Sequence, residues 1–231
     1  MVIVGLTGSV AMGKSTAARA FRRLGIPVHD ADAAVRRLLA EDPAAIARVA
    51  QAFPGAVKNG AVDRAFLAAR VFADAVALGR LEAILHPLVR RRTRNFLELA
   101  ARRREKIVVL DVPLLFETGA ERACDAVVVV NAPAFLQADR FLARPEMTRA
   151  RLAATRARQT PAGEKLKRAD VVIQTGLDRG FSFRRVAAIV AAARQKRGPA
   201  GARANPRALT KTRPHQGARA NKRPAWKPGW R

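Results

Sequence analysis

The residues best suited to chemistry stand near the start of the chain. In GSVAMGKST, Gly8 and Gly13 bracket four residues, and Lys14, Ser15 and Thr16 follow. This satisfies G-x-x-x-x-G-K-[ST], a pattern whose backbone N–H groups wrap nucleotide phosphates. Gly8 and Gly13 permit backbone conformations that turn successive N–H groups inward. A helix begun near Gly13 adds the positive end of its dipole. Lys14 can reach the β- and γ-phosphates, the Ser15 hydroxyl can ligate Mg²⁺, and Thr16 can hydrogen-bond the α-phosphate. Between the glycines, Ala11 and Met12 occupy positions where such loops often carry more glycine.

The loop by itself leaves three kinds of work open: a small-molecule kinase, a GTPase-type switch or an ATP-driven motor. The sequence holds no N-K-x-D element for reading guanine, and 231 residues are few for a motor, so a metabolite kinase remains. A second group of chemically able residues is Asp30 and Asp32 in VHDAD. A carboxylate at the end of a strand can take the proton of a hydroxyl that attacks the γ-phosphate, or orient that hydroxyl. The two-residue spacing aims both acids the same way if the backbone stays extended. Either acid can instead cap the following helix, and Asp30 can also serve as a ligand to metal-bound water.

These residues need elements to hold them. Apolar, β-branched runs at 2–6, 26–32, 106–116, 126–131 and 171–173 read as short buried strands. Helical patterns lie between them, the first closed by Gly25. Residues 63–101 form a long helical zone that Pro87 is expected to kink or restart. Strands alternating with helices predict an α/β domain with a parallel sheet, with ligands at the carboxyl ends of the strands.

Composition narrows the partners. The net charge is +26; residues 195–231 hold 11 Lys or Arg and no acid, which leaves +15 on residues 1–194. A basic body suits anionic ligands. The segment 195–231, rich in Lys, Arg, Pro and Gly, reads as a disordered basic tail. Its Trp226 and Trp230 allow salt-sensitive, nonspecific contact with nucleic acid. A single cysteine, Cys124, excludes an internal disulfide and fits a reducing cytoplasm. No signal segment or membrane span is evident. Oligomeric state is not legible.

Taken in order, GLTGSVAMGKST, LGIPVHDAD, VDRAFLAARVFADAVALGRLEAILHPLV, LDVPLLFETG, QADRFLARPEMT and EKLKRADVVIQTG resemble the blocks of the dephospho-CoA kinase family, over residues 1 to about 194. The resemblance implies a P-loop kinase fold with a helical acceptor-binding region (about 33–101) and a mobile lid (about 140–168). It implies transfer of the ATP γ-phosphate to the 3′-hydroxyl of dephospho-CoA, the last step of coenzyme A biosynthesis, with Mg²⁺. By position, Ala11 to Thr16 match the ATP loop and Asp32 the general base. His86 matches the acceptor region. Glu117 closes the Asp111–Glu117 block beside the nucleotide, and Arg140 and Arg144 match basic residues at the lid. Spaced by four, the two arginines would share a helix face and neutralise charge on the transferred phosphoryl group. The family loop usually reads GGIGSGKS; here Ser9, Ala11 and Met12 replace two glycines and a serine. Another P-loop kinase acting on a nucleoside monophosphate or small metabolite is the alternative, and a nucleic-acid-binding protein a more distant one.

Overall fold

The apolar runs pair into one sheet. In the computed structural model, which describes residues 1–72 and 74–195, strands β1 (Val2–Gly8), β5 (Ile107–Asp111), β6 (Ala126–Asn131) and β7 (Val171–Gln174) lie parallel. Strand β2 (Val28–Asp30) takes the outer place beside β5, giving the order β2-β5-β1-β6-β7. Register sets Leu6 opposite Asp111 and Gly8 opposite Val130. The phosphate loop therefore leaves the central strand, with a carboxylate at the end of one neighbour.

Strand periodicity divides the core. Ala126, Val128 and Val130 join a cluster with Phe21 of α1 (Lys14–Arg23) and with Val186, Ile189 and Val190 of α9 (Arg179–Gln195). Val127 and Val129 pack instead with Leu115 and Phe116. This two-sided burial makes the strands read as continuous apolar runs. Between β6 and β7 lie α6 (Ala134–Leu142), α7 (Arg149–Ala157) and the short α8 (Ala162–Lys167).

The described chain divides into two compact units, residues 1–29 with 100 onward, and residues 30–99. The second unit is helical: α2 (Ala31–Glu41), α3 (Pro43–Ala52), α4 (Arg64–Phe72) and most of α5 (Ala75–Arg102) surround Leu39, Val49, Phe53, Leu67, Leu81 and Leu85. Each of these helices starts on an aspartate. Asp30 accepts from Ala33 N, Asp42 from Ala45 N, Asp63 from Ala65 and Phe66 N, and Asp74 from Val76 and Ala77 N. A carboxylate satisfies orphan N–H groups and sits favourably at the positive end of the helix.

One sequence expectation is narrowed, and one element was not foreseen. Helix α5 runs 28 residues through Pro87 without restarting there. The ring removes one N–H donor, and the rest of the helix bridges the gap. The break falls earlier, at Asp74, whose side chain caps α5. A small hairpin, β3 (Val57–Lys58) with β4 (Ala61–Val62), was not foreseen. The expectations for the tail, including its disorder and nucleic-acid contact, concern residues outside those described from 196 on. Among the described residues, no helix is long and apolar enough to cross a membrane.

Asp42 links two helices of this unit. It caps α3 and pairs with Arg92 (3.1 Å) and Arg91 (3.7 Å) of α5. The Ala45 N–H first, then Arg92 and Arg91, hold its carboxyl below the ordinary 3.8 against the opposing effect of burial. Because the folded value is depressed, this stabilisation is complete above 3.8 and is lost as pH falls through the folded value. Asp42→Ala should lower unfolding free energy by about 1–2 kcal/mol at pH 7, and the gap from wild type should narrow in acid. Denaturant titration at both pH values checks this; equal stability at pH 7 contradicts it.

Candidate active site

The phosphate loop is shaped by close approaches from behind. A Cβ on Gly8 would meet Val130 Cγ2 at 2.3 Å and Val130 O at 2.8 Å. Gly8 therefore serves strand proximity, which corrects the expectation that an unusual backbone conformation calls for glycine there; positive φ is not found at this residue. Gly13 has φ +86 and precedes α1, and a Cβ there would meet Thr175 Oγ1 at 2.8 Å. Both glycines are thus required, for different reasons.

The two unusual residues are also explained. Ala11 adopts φ 59, a left-handed conformation that costs an L-residue roughly 1–2 kcal/mol. Its methyl is buried with Phe141 and Leu152, which offsets part of that cost. Met12 is buried, and its sulfur accepts from Ala132 N at 3.1 Å. The loop thereby gains an anchor to the residue following β6.

Lys14 Nζ lies 2.7 Å from Asp111 Oδ1, with only 4% of the Asp111 side chain exposed. The lysine is held at the carboxyl end of the sheet, where it can meet the β- and γ-phosphates. Thr175 forms a second junction. Its hydroxyl donates to Met12 O at 2.6 Å and lies 3.2 Å from Asn131 O. Arg140 Nη2 donates to Thr175 O at 2.8 Å. One buried threonine thus ties the loop, the end of β6 and a cation of α6 together. Lys14, set on Asp111, and Arg140, set on Thr175, are two cations at the carboxyl end of the sheet, suited to bind a triphosphate and offset developing negative charge.

The family model for dephospho-CoA kinase matches residues 2–178. The chain belongs to the dephospho-CoA kinase family. It is 62% identical over 165 residues to the dephospho-CoA kinase of Paramagnetospirillum magneticum, covering 71% of this chain and 78% of that one. It is 59% identical over 177 residues to that of Rhodospirillum rubrum, covering 76% and 84%. Among solved structures, TT1252 from Thermus thermophilus superposes with a TM-score of 0.70 at 36% identity, over 82% of this chain and 96% of that one. The dephospho-CoA kinase from Campylobacter jejuni shares the fold, with a TM-score of 0.60 at 24% identity, over 82% and 95%.

Other residues that the dephospho-CoA kinase resemblance singles out are placed as follows. Ser15 and Thr16 occupy the first turn of α1. In the second unit, Asp30 ends β2 and caps α2, while Asp32 is exposed in the first turn of α2. The expected extended pair is therefore corrected: the helix begins at Ala31, between the two acids, and aims them differently. His86 is exposed on α5. In the first unit, Arg144 lies beyond the end of α6 at Leu142, its guanidinium 6.0 Å from the Phe141 ring centroid. The shared helix face expected for Arg140 and Arg144 is not formed, because the helix stops before Pro145.

Glu117 Oε1 accepts from Thr160 N at 2.6 Å and faces Lys165 Nζ at 3.0 Å. Burial opposes its ionisation most strongly, but the Thr160 N–H, its own N–H and Lys165 together prevail and hold the carboxyl below its ordinary 4.5. Its carboxylate thus fastens the start of α8 to the loop after β5. Sequence reasoning missed Thr175 altogether and gave Asp111 no role of its own. Thr175 carries no local signal, whereas an acid ending a buried strand next to a phosphate loop could have marked Asp111.

The donor types suit a hard divalent cation carried with a nucleotide. Ser15 and Asp111 offer hard oxygens, and an ion that keeps phosphate oxygens and waters needs only one or two protein ligands. Among the described residues there is no cluster of three or more His, Cys, Asp or Glu able to hold a metal alone.

Two outcomes follow. Lys14→Ala should reduce ATP turnover by on the order of 10²-fold or more while circular dichroism and melting stay near wild type; unchanged turnover contradicts the placement. Ala11→Val puts a β-branched residue at φ 59, a strained choice. It should weaken ATP binding by about ten-fold or more in an equilibrium titration, and unchanged affinity contradicts the account of the loop.

Proposed function

We propose that this chain phosphorylates the 3′-hydroxyl of dephospho-CoA with ATP, producing CoA and ADP. The observation that carries the reading is the phosphate loop with Lys14 against Asp111 at 2.7 Å, in a chain of the dephospho-CoA kinase family. In the transfer, the ribose O3′–P bond forms as the bridging P–O bond to the β-phosphate breaks. The electron pair leaves on ADP. The hydroxyl proton passes to the Asp32 carboxylate and then to solvent.

Loop N–H groups, Lys14 and Thr16 hold the triphosphate, and Arg140 stabilises charge on the moving phosphoryl group. Mg²⁺, held by Ser15 and Asp111, would screen the β- and γ-phosphate charge. His86 and Arg144, both exposed, are assigned to the acceptor. Asp30 and Glu117, whose carboxylates also accept from Ala33 N and Thr160 N, are assigned to the acceptor as well. Residues from about 140 to 168 are read as the lid. The single cysteine supports a reducing, cytoplasmic setting.

The test is coupled ADP release with ATP, Mg²⁺ and either dephospho-CoA or a panel of nucleoside monophosphates. Stimulation by dephospho-CoA alone is expected, and Asp32→Asn should lower kcat by about 10²–10⁴-fold. Stimulation by another acceptor and not by dephospho-CoA overturns the reading. An unchanged kcat in Asp32→Asn removes Asp32 as the base.

A further inference from the structure

One residue of the phosphate loop has both backbone polar groups held from outside the loop. The Val10 carbonyl accepts from Gln137 Nε2 at 2.8 Å, and the Val10 N–H donates to Gln159 Oε1 at 3.1 Å. Gln137 lies on α6 and is only 3% exposed. Gln159 follows the end of α7 at Ala157. The next loop residue, Ala11, is buried against Phe141 of α6 and Leu152 of α7. The α6–α7 segment therefore grips Val10 and Ala11 by two hydrogen bonds and an apolar contact.

Chemistry sets the direction of the Gln137 amide. Its Oε1 accepts from Arg156 Nε at 3.1 Å and Nη2 at 2.5 Å. Arginine can only donate, so the amide oxygen must face Arg156, which leaves the NH₂ group for the Val10 carbonyl. A buried glutamine is costly unless both ends are satisfied, and here both are. An apolar side chain would serve packing alone at this position, but it would leave the Val10 carbonyl without its partner.

The loop needs such a hold. Its N–H groups must converge where the phosphates bind, and the bond inside the loop, from Met12 N–H to Ser9 O at 3.2 Å, does not engage the polar groups of Val10. A Val10 peptide free to rotate would lose the orientation of the neighbouring groups. We propose that Gln137 and Gln159 are positioning residues for ATP: they fix the Val10 peptide so that the loop is preformed, and Arg156 fixes Gln137. Loop readiness thereby depends on the placement of α6 and α7. The proposal rests on the kinase reading only in taking ATP as the loop ligand.

The test measures ATP dissociation constants by equilibrium titration, and KM for both substrates, in wild type, Gln137→Glu and Gln159→Leu. Gln137→Glu keeps an acceptor for Arg156 but sets a carboxylate oxygen against the Val10 carbonyl. Both variants should raise the Kd and KM for ATP about ten-fold, with KM for dephospho-CoA within about two-fold of wild type. A role in stability alone would lower the melting temperature without that split. If Gln137→Glu does not fold, Gln159→Leu decides by the same criterion. Wild-type ATP affinity in the folded variants overturns the proposal and leaves the kinase reading standing. Failure of wild type to bind ATP overturns both.

Discussion

A phosphate loop must point its backbone N–H groups at a ligand that is absent for part of every cycle. Like partial charges then converge with nothing between them, so the loop has to be held from its outer side. In this chain the hold is spread over several partners. Val130 crowds Gly8, Thr175 crowds Gly13 and bonds the Met12 carbonyl, and Ala132 N bonds the Met12 sulfur. The remaining stretch, Val10 and Ala11, is gripped by α6 and α7. The non-glycine residues of the loop fit this arrangement: a residue with a side chain gives the surroundings something to hold. Ala11 accepts left-handed strain in exchange for a buried methyl, and Met12 reaches across to the end of β6.

The same logic extends outward from the loop. Thr175 joins β6, the loop and Arg140, so the arginine read as the phosphoryl-stabilising cation is placed by the same side chain that supports the phosphate-binding backbone. Glu117 fastens the segment before α8 to the loop following β5 through Thr160 and Lys165. Arg168 lies next to α8; it pairs with Glu121 at 2.7 Å and stacks over Phe116 at 4.2 Å. The α6–α8 segment is thus tied at its base by charged contacts to the core, while its α6–α7 portion meets the phosphate loop.

Much of this was legible in the sequence. The G-x-x-x-x-G-K-S spacing, the five short apolar runs and the alternation of strands with helices depend on local pattern, and each has its counterpart in the fold. What local pattern could not show is long-range. The partners of Thr175, Gln159 and Gln137 in the loop lie 163, 149 and 127 residues away, beyond any periodicity. Boundaries were the other weak point. Reading VHDAD as extended set Asp30 and Asp32 on one side, but an aspartate before alanines is also a helix cap, and the cap prevailed at Asp30. Arg140 and Arg144 were joined by spacing alone, although Pro145 gave a reason for the helix to end first. At Pro87 the sequence left a kink or a restart open, and α5 continues through it without a restart.

The central claim is chemical: the phosphoryl group held by this loop goes to one ribose hydroxyl. The most direct measurement is ³¹P NMR of the products formed from ATP, Mg²⁺ and dephospho-CoA. The account predicts one new phosphomonoester, coupled to the ribose 3′ proton and appearing in step with ADP. ADP with inorganic phosphate alone, or a phosphomonoester at another position, would contradict it.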